Sequence, residues 1–111
     1  MMKRMTIDEC PVKWTTDLIG GKWKPLILYY LTDGPQRYGE LLRLVPGISK
    51  KMLTQQVREL ERADLVARRV HPGIALKVEY SLSAHGRTLK PVLEAMAEWG
   101  TAHKKKHPAI R

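Results

Sequence analysis

The stretch Tyr38–Arg62, YGELLRLVPGISKKMLTQQVRELER, decides the fold. Its first part places Tyr38, Leu41, Leu42 and Val45 on one face at helical spacing, and Pro46 and Gly47 stop that helix abruptly. Ser49 then restarts one. A serine there accepts a hydrogen bond from the free backbone N–H groups of the new helix, whose apolar stripe continues as Leu53, Val57 and Leu60. Two short amphipathic helices joined by a turn of about three residues have the geometry of a helix-turn-helix, in which the second helix enters the major groove of DNA.

A step of about 3.6 residues per turn gathers Lys51, Thr54, Gln55, Arg58 and Arg62 opposite that apolar stripe, with Ser49 and Lys50 at the helix start. These side chains suit nucleic acid. Lys and Arg reach guanine acceptors or phosphates, Gln pairs the adenine edge, and Thr offers a hydroxyl and a methyl. An ordinary solvated helix face has a similar composition; the place directly after a tight turn favours DNA.

After Asp64 the period changes to two. Val66, Arg68 and Val70 form one run, and Leu76, Val78, Tyr80 and Leu82 alternate with Lys77, Glu79 and Ser81 in the next, with Pro72 and Gly73 between. The pattern predicts a β-hairpin, so the fold class is mainly α with a small β-hairpin wing, a winged helix-turn-helix. Arg68, Arg69 and Lys77 on the wing are candidate phosphate or minor-groove contacts, although a lysine on an edge strand also protects against aggregation.

Upstream, Trp23, Leu26, Ile27, Tyr30 and Leu31 predict a helix over about Lys22–Thr32, ended by Asp33, Gly34 and Pro35. Gly20 and Gly21 separate it from a shorter helix over about Trp14–Ile19. Downstream, Ser83 is a candidate cap for a final helix carrying Leu89, Val92, Leu93, Met96, Trp99 and His103, which Pro91 either kinks or divides. The end of the chain from Lys104 is expected to fray, and residues 107–111 to form a tail. The organisation expected is one domain over residues 1–111, with the winged core over 14–82 and the C-terminal helix over 83–106.

The 111 residues suit one core, and 43% hydrophobic with 28% charged residues are enough to bury one. The longest apolar run, Leu26–Leu31, is far short of the ~20 residues of a membrane span, and the start of the chain lacks a signal-peptide stretch, so a cytoplasmic protein without membrane contact is expected. Twenty Lys and Arg against eleven Asp and Glu give +9, an imbalance that attracts polyanions. More than half of it falls between Arg43 and Lys77.

No catalytic constellation emerges, and neither cofactor nor metal is expected. Gly20–Gly21–Lys22 lacks the rest of a phosphate loop, and His103 and His107, spaced as metal ligands can be, lack an evident third ligand. Cys10 is the single cysteine, which excludes a disulfide framework within the chain. It reads equally as a redox or electrophile sensor beside Lys13 or as a small apolar side chain.

These residues resemble the HxlR-type winged-helix transcriptional regulators, relatives of the MarR regulators. The resemblance runs through Cys10–Pro11–Val12, Ile19–Gly20–Gly21–Lys22–Trp23–Lys24, Leu26–Ile27–Leu28, Tyr38–Gly39–Glu40–Leu41 and Pro46–Gly47–Ile48–Ser49. It continues through Leu53–Thr54–Gln55–Gln56–Val57–Arg58–Glu59–Leu60, Val78–Glu79–Tyr80–Ser81–Leu82, Pro91–Val92–Leu93 and Trp99–Gly100. It implies a homodimer on double-stranded promoter DNA, with the helix over 49–62 as the recognition helix and the C-terminal helix and N-terminal segment making the dimer contact. Leu89, Val92, Leu93, Met96 and Trp99 are the candidate interface residues. Some members of the family sense oxidants or electrophiles through the cysteine matching Cys10, and others respond to different signals, so an oxidant or a small molecule is the expected input. The family often has Phe at the position of Tyr38, whereas this chain has no Phe; the change is expected to alter packing but not function. The competing reading is a winged-helix module that binds RNA or a protein partner instead of an operator.

Overall fold

The computed structural model describes residues 6–73 and 77–109. A 3₁₀ turn at Ile7–Glu9 precedes helix α1 (Pro11–Ile19), α2 (Lys24–Tyr30), strand β1 (Gln36–Arg37), α3 (Tyr38–Leu44) and α4 (Lys50–Arg62). Strands β2 (Val66–His71) and β3 (Lys77–Leu82), a 3₁₀ turn at Gly86–Leu89 and helix α5 (Lys90–Lys106) complete the fold. Pro11 and Pro25 both lie in first turns, where a missing N–H is harmless and a fixed φ helps. Hence α1 begins earlier than its apolar spacing suggests, while α2 is shorter than expected at both ends.

The expected hairpin is a three-stranded antiparallel sheet of order β1-β3-β2. β1 pairs Gln36 with Tyr80 and Arg37 with Glu79, just before the chain enters α3. Leu76 lies outside the described residues.

The core is continuous across the helices and the sheet. Ile27 and Leu28 of α2, with Leu31 just after it, meet Leu41 of α3 and Val45 after it, Leu53, Val57 and Leu60 of α4, then Leu65, Val66, Tyr80 and Leu82. Gly47 forms the turn from α3 to α4 with φ +79°, a conformation that strains any side chain. Ser49 then caps α4 as expected, its Oγ accepting from Met52 N–H at 3.0 Å. Asp64 ends α4 with φ +60°, and the bonds Asp64 N–H to Glu61 O and Leu65 N–H to Leu60 O, both 3.0 Å, close a Schellman motif. It turns the chain into β2 with Leu65 buried.

Pro91 falls in the first turn of α5, so the C-terminal segment is divided rather than kinked within a helix. Ser83 does not cap α5: it lies ahead of the 3₁₀ turn, where its Oγ accepts from Gly86 N–H at 2.8 Å and donates to Asp64 O at 2.6 Å. A Cβ at Gly86 would lie 2.0 Å from Leu65 O, so only glycine permits this approach. α5 continues through Lys104, Lys105 and Lys106, against the expectation of fraying from Lys104; their cations lie at the negative end of the helix dipole.

Candidate nucleic-acid interface

Along α4, Lys50, Lys51, Thr54, Gln55, Arg58 and Arg62 line one shallow concavity, while Leu53, Val57 and Leu60 are buried behind them. All five residues expected from the 3.6-residue period are thus brought together, with Lys50 from the helix start beside them. Ser49 stands apart as the cap.

Two contacts from other elements fix this helix. Tyr38 of α3 donates its hydroxyl proton to Lys50 O at 2.8 Å, and its oxygen lies 3.0 Å from Thr54 Oγ1. Lys24 of α2 pairs with Glu59 at 2.8 Å, with the side chains 18% and 34% exposed. Through this hydrogen bond and its charge, Lys24 holds the Glu59 carboxyl below its ordinary 4.5. The pair also partly neutralises an acid that would otherwise repel phosphates from α4. These partners lie 12 to 35 residues away in sequence, and helical periodicity gives no sign of them.

The wing divides its basic residues between two faces. Directly paired residues share a face, so Arg69 and Glu79 lie with His71 and Lys77 on one side, and Arg68 lies with Tyr80 on the other. His71 Nε2 meets Glu79 Oε1 at 2.5 Å. Arg68, Arg69 and Lys77 are all exposed, but the two arginines point opposite ways and do not form one patch.

The five apolar residues expected at a dimer contact also divide. Leu93 is only 2% exposed and Leu89 packs against the core, so both serve their own chain. Val92, Met96 and Trp99 remain 42%, 49% and 69% exposed. The four on α5 span a wide arc of the helix, and α2 covers only one side of it. Trp99 stacks on His103, ring centroids 5.0 Å apart, and His103 lies 5.1 Å from His107. Apolar residues not singled out from sequence, Ile7, Val12, Trp14 and Leu18, are also exposed, since α1 sends only Ile19 into the core. Cys10 is half-buried at the N-cap of α1. Lys13, the cation expected beside it, is paired with Asp17 at 2.8 Å. Among the described residues no three His, Cys, Asp or Glu side chains gather to hold a metal, and no helix is long and apolar enough to cross a membrane.

A family model described as HxlR-like helix-turn-helix matches residues 18–108. The chain belongs to this family. It is similar to the uncharacterized HTH-type transcriptional regulator YdeP of Bacillus subtilis, 50% identical over 97 residues that cover 87% of this chain and 76% of the relative. Among solved structures, the redox regulator HypR in its oxidized form superposes with a TM-score of 0.81 at 48% identity, covering 84% of this chain and 96% of that one. Diamide-treated YodB from B. subtilis gives 0.69 at 36% identity, covering 84% and 93%. This HxlR-like chain is therefore a winged helix-turn-helix, DNA-binding protein of transcription regulation, and its relatives are regulators rather than enzymes.

Proposed function

We propose that this HxlR-like chain acts in the cytoplasm as a homodimer on an inverted-repeat operator, with α4 as its recognition helix. The observation that carries this reading is that Lys50, Lys51, Thr54, Gln55, Arg58 and Arg62 line one concavity on the capped second helix of the motif. Lys51, Thr54, Gln55 and Arg58 face base edges; Lys50 and Arg62, at the two ends of α4, reach the backbone. The wing adds phosphate contacts from one of its two faces, through either Arg68 or the pair Arg69 and Lys77.

The exposed apolar residues of α5, Val92, Met96 and Trp99, together with Ile7, Val12, Trp14 and Leu18, support a contact between copies. A two-fold dimer sets two recognition helices about 34 Å apart, or a multiple of that, on one face of the duplex. Selecting bound fragments from the source genome and footprinting them tests this reading: two protected half-sites related by a dyad are expected. A single protected half-site bound by a monomer would refute it.

Cys10 is the proposed entry point of an oxidant or electrophile signal. It sits at a helix N-terminus within the N-terminal apolar segment, and the similar proteins HypR and YodB were solved in oxidized or diamide-treated forms. With one cysteine per chain, oxidation leads to a disulfide between subunits, a mixed disulfide or an oxyacid. Operator binding before and after mild oxidant, in the parent and in Cys10→Ser, is expected to change only in the parent. Equal responses would direct the search for a small-molecule signal to the groove between α2 and α5, lined by Leu26, Tyr29, Tyr30 and Met96.

A further inference from the structure

Tyr38 bridges the two helices of the motif at the point where one of the proposed base readers sits. Its hydroxyl oxygen lies 2.8 Å from Lys50 O and 3.0 Å from Thr54 Oγ1, and both Tyr38 and Thr54 are half-buried. A phenol carries one proton, a carbonyl only accepts, and a threonine hydroxyl carries one proton and two lone pairs. Two protons must serve two contacts. This happens in one way only: Tyr38 donates to Lys50 O, and Thr54 donates to Tyr38. The reverse assignment, with Tyr38 donating to Thr54, sets the phenol lone pairs against a carbonyl oxygen at hydrogen-bond distance with no proton between them.

Thr54 also lines the outer concavity of α4. With its proton committed inward, its oxygen presents only lone pairs to whatever lies in the groove. A phosphate offers only acceptors, so it cannot bond to an oxygen in that state. Among base edges of the major groove, the donors are the amino groups of adenine and cytosine, whereas guanine and thymine present acceptors.

We propose that Tyr38 sets the base preference of Thr54, making it an obligate acceptor that selects adenine or cytosine over guanine or thymine on the strand it contacts. Tyr38 is thus a positioning residue that acts through Thr54 without touching DNA. The proposal rests on α4 lying in the major groove.

The test is the base preference at every position of the selected operator, measured for the parent, Tyr38→Phe, Thr54→Val, Lys51→Ala and Arg58→Ala. In the parent, one position per half-site is expected to favour A or C over G or T by about 3- to 10-fold, the weight of one hydrogen bond. Thr54→Val removes that preference by removing the acceptor. Tyr38→Phe also reduces it below about twofold, because Thr54 regains a free proton and serves keto bases too. The preferences at the other positions stay as in the parent, a pattern that a merely structural role of Tyr38 in holding α4 would not produce. If Lys51→Ala and Arg58→Ala change preference at no position, the reading of α4 fails and the proposal falls with it. Should they change preferences while the position altered in Thr54→Val favours a keto base, or keeps its parental preference in Tyr38→Phe, the α4 reading stands and the proposal is overturned. It is overturned equally if no position depends on Thr54. Were Tyr38→Phe not to fold, the parent and Thr54→Val profiles decide on their own: an amino preference that disappears with Thr54 sustains the proposal, and its absence overturns it.

Discussion

Ser49 and Glu59 fix α4 from opposite ends of the helix. Ser49→Ala removes the acceptor for Met52 N–H, so a loss of about 1 kcal/mol in unfolding free energy is expected by chemical denaturation. Glu59 is held below its ordinary 4.5 by Lys24, which gives its contribution a definite sign. It is fully present above the unfolded value and lost as pH falls through the lower folded value. The stability gap between the parent and Glu59→Gln is therefore expected to be constant near neutral pH and to close on acidification below about 4.5. A gap that widens with acid would contradict the assignment. Ser49 was legible in the sequence because capping is a local event three residues long. Lys24 with Glu59 and Tyr38 with Thr54 were not, because their proximity follows from how α2 and α3 cross α4.

At the scale of elements, the polar side of α4 follows from periodicity alone, since a helix with one buried stripe must present the rest. The wing is less transparent. β1 has two residues and no alternation of its own; it is a strand only because Tyr80 and Glu79 pair with it. The sequence pattern groups Arg68 with Arg69, whereas adjacent residues of a strand point to opposite faces. Removing one phosphate-binding cation lowers the slope of log affinity against log salt by about 0.9. Arg68→Ala and Arg69→Ala are therefore expected to differ, one lowering the slope by about that amount and the other leaving it near the parent. Equal reductions would mean that both faces of the wing meet DNA. α5 shows the same limit of periodicity: its spacing gives an apolar helix, but only the packing against α2 tells which residues it keeps for its own core.

At the scale of the whole molecule, the proposed dimer rests on the exposed apolar residues of α1 and α5. Met96→Glu with Trp99→Glu is expected to shift the protein from dimer to monomer in sedimentation at micromolar concentration, with helical content unchanged because neither residue is buried. An unaltered dimer would place the contact elsewhere. The central claim is that the exposed face of α4 reads sequence. The most direct measurement is the ratio of affinities for the selected operator and a scrambled duplex at one fixed salt concentration, in the parent and in a variant with alanine at Lys51, Thr54, Gln55 and Arg58. The parent is expected to prefer its operator by roughly 10³ or more, and the variant to lose most of that ratio while retaining weak binding to both duplexes. A variant that keeps the parental ratio would contradict the account.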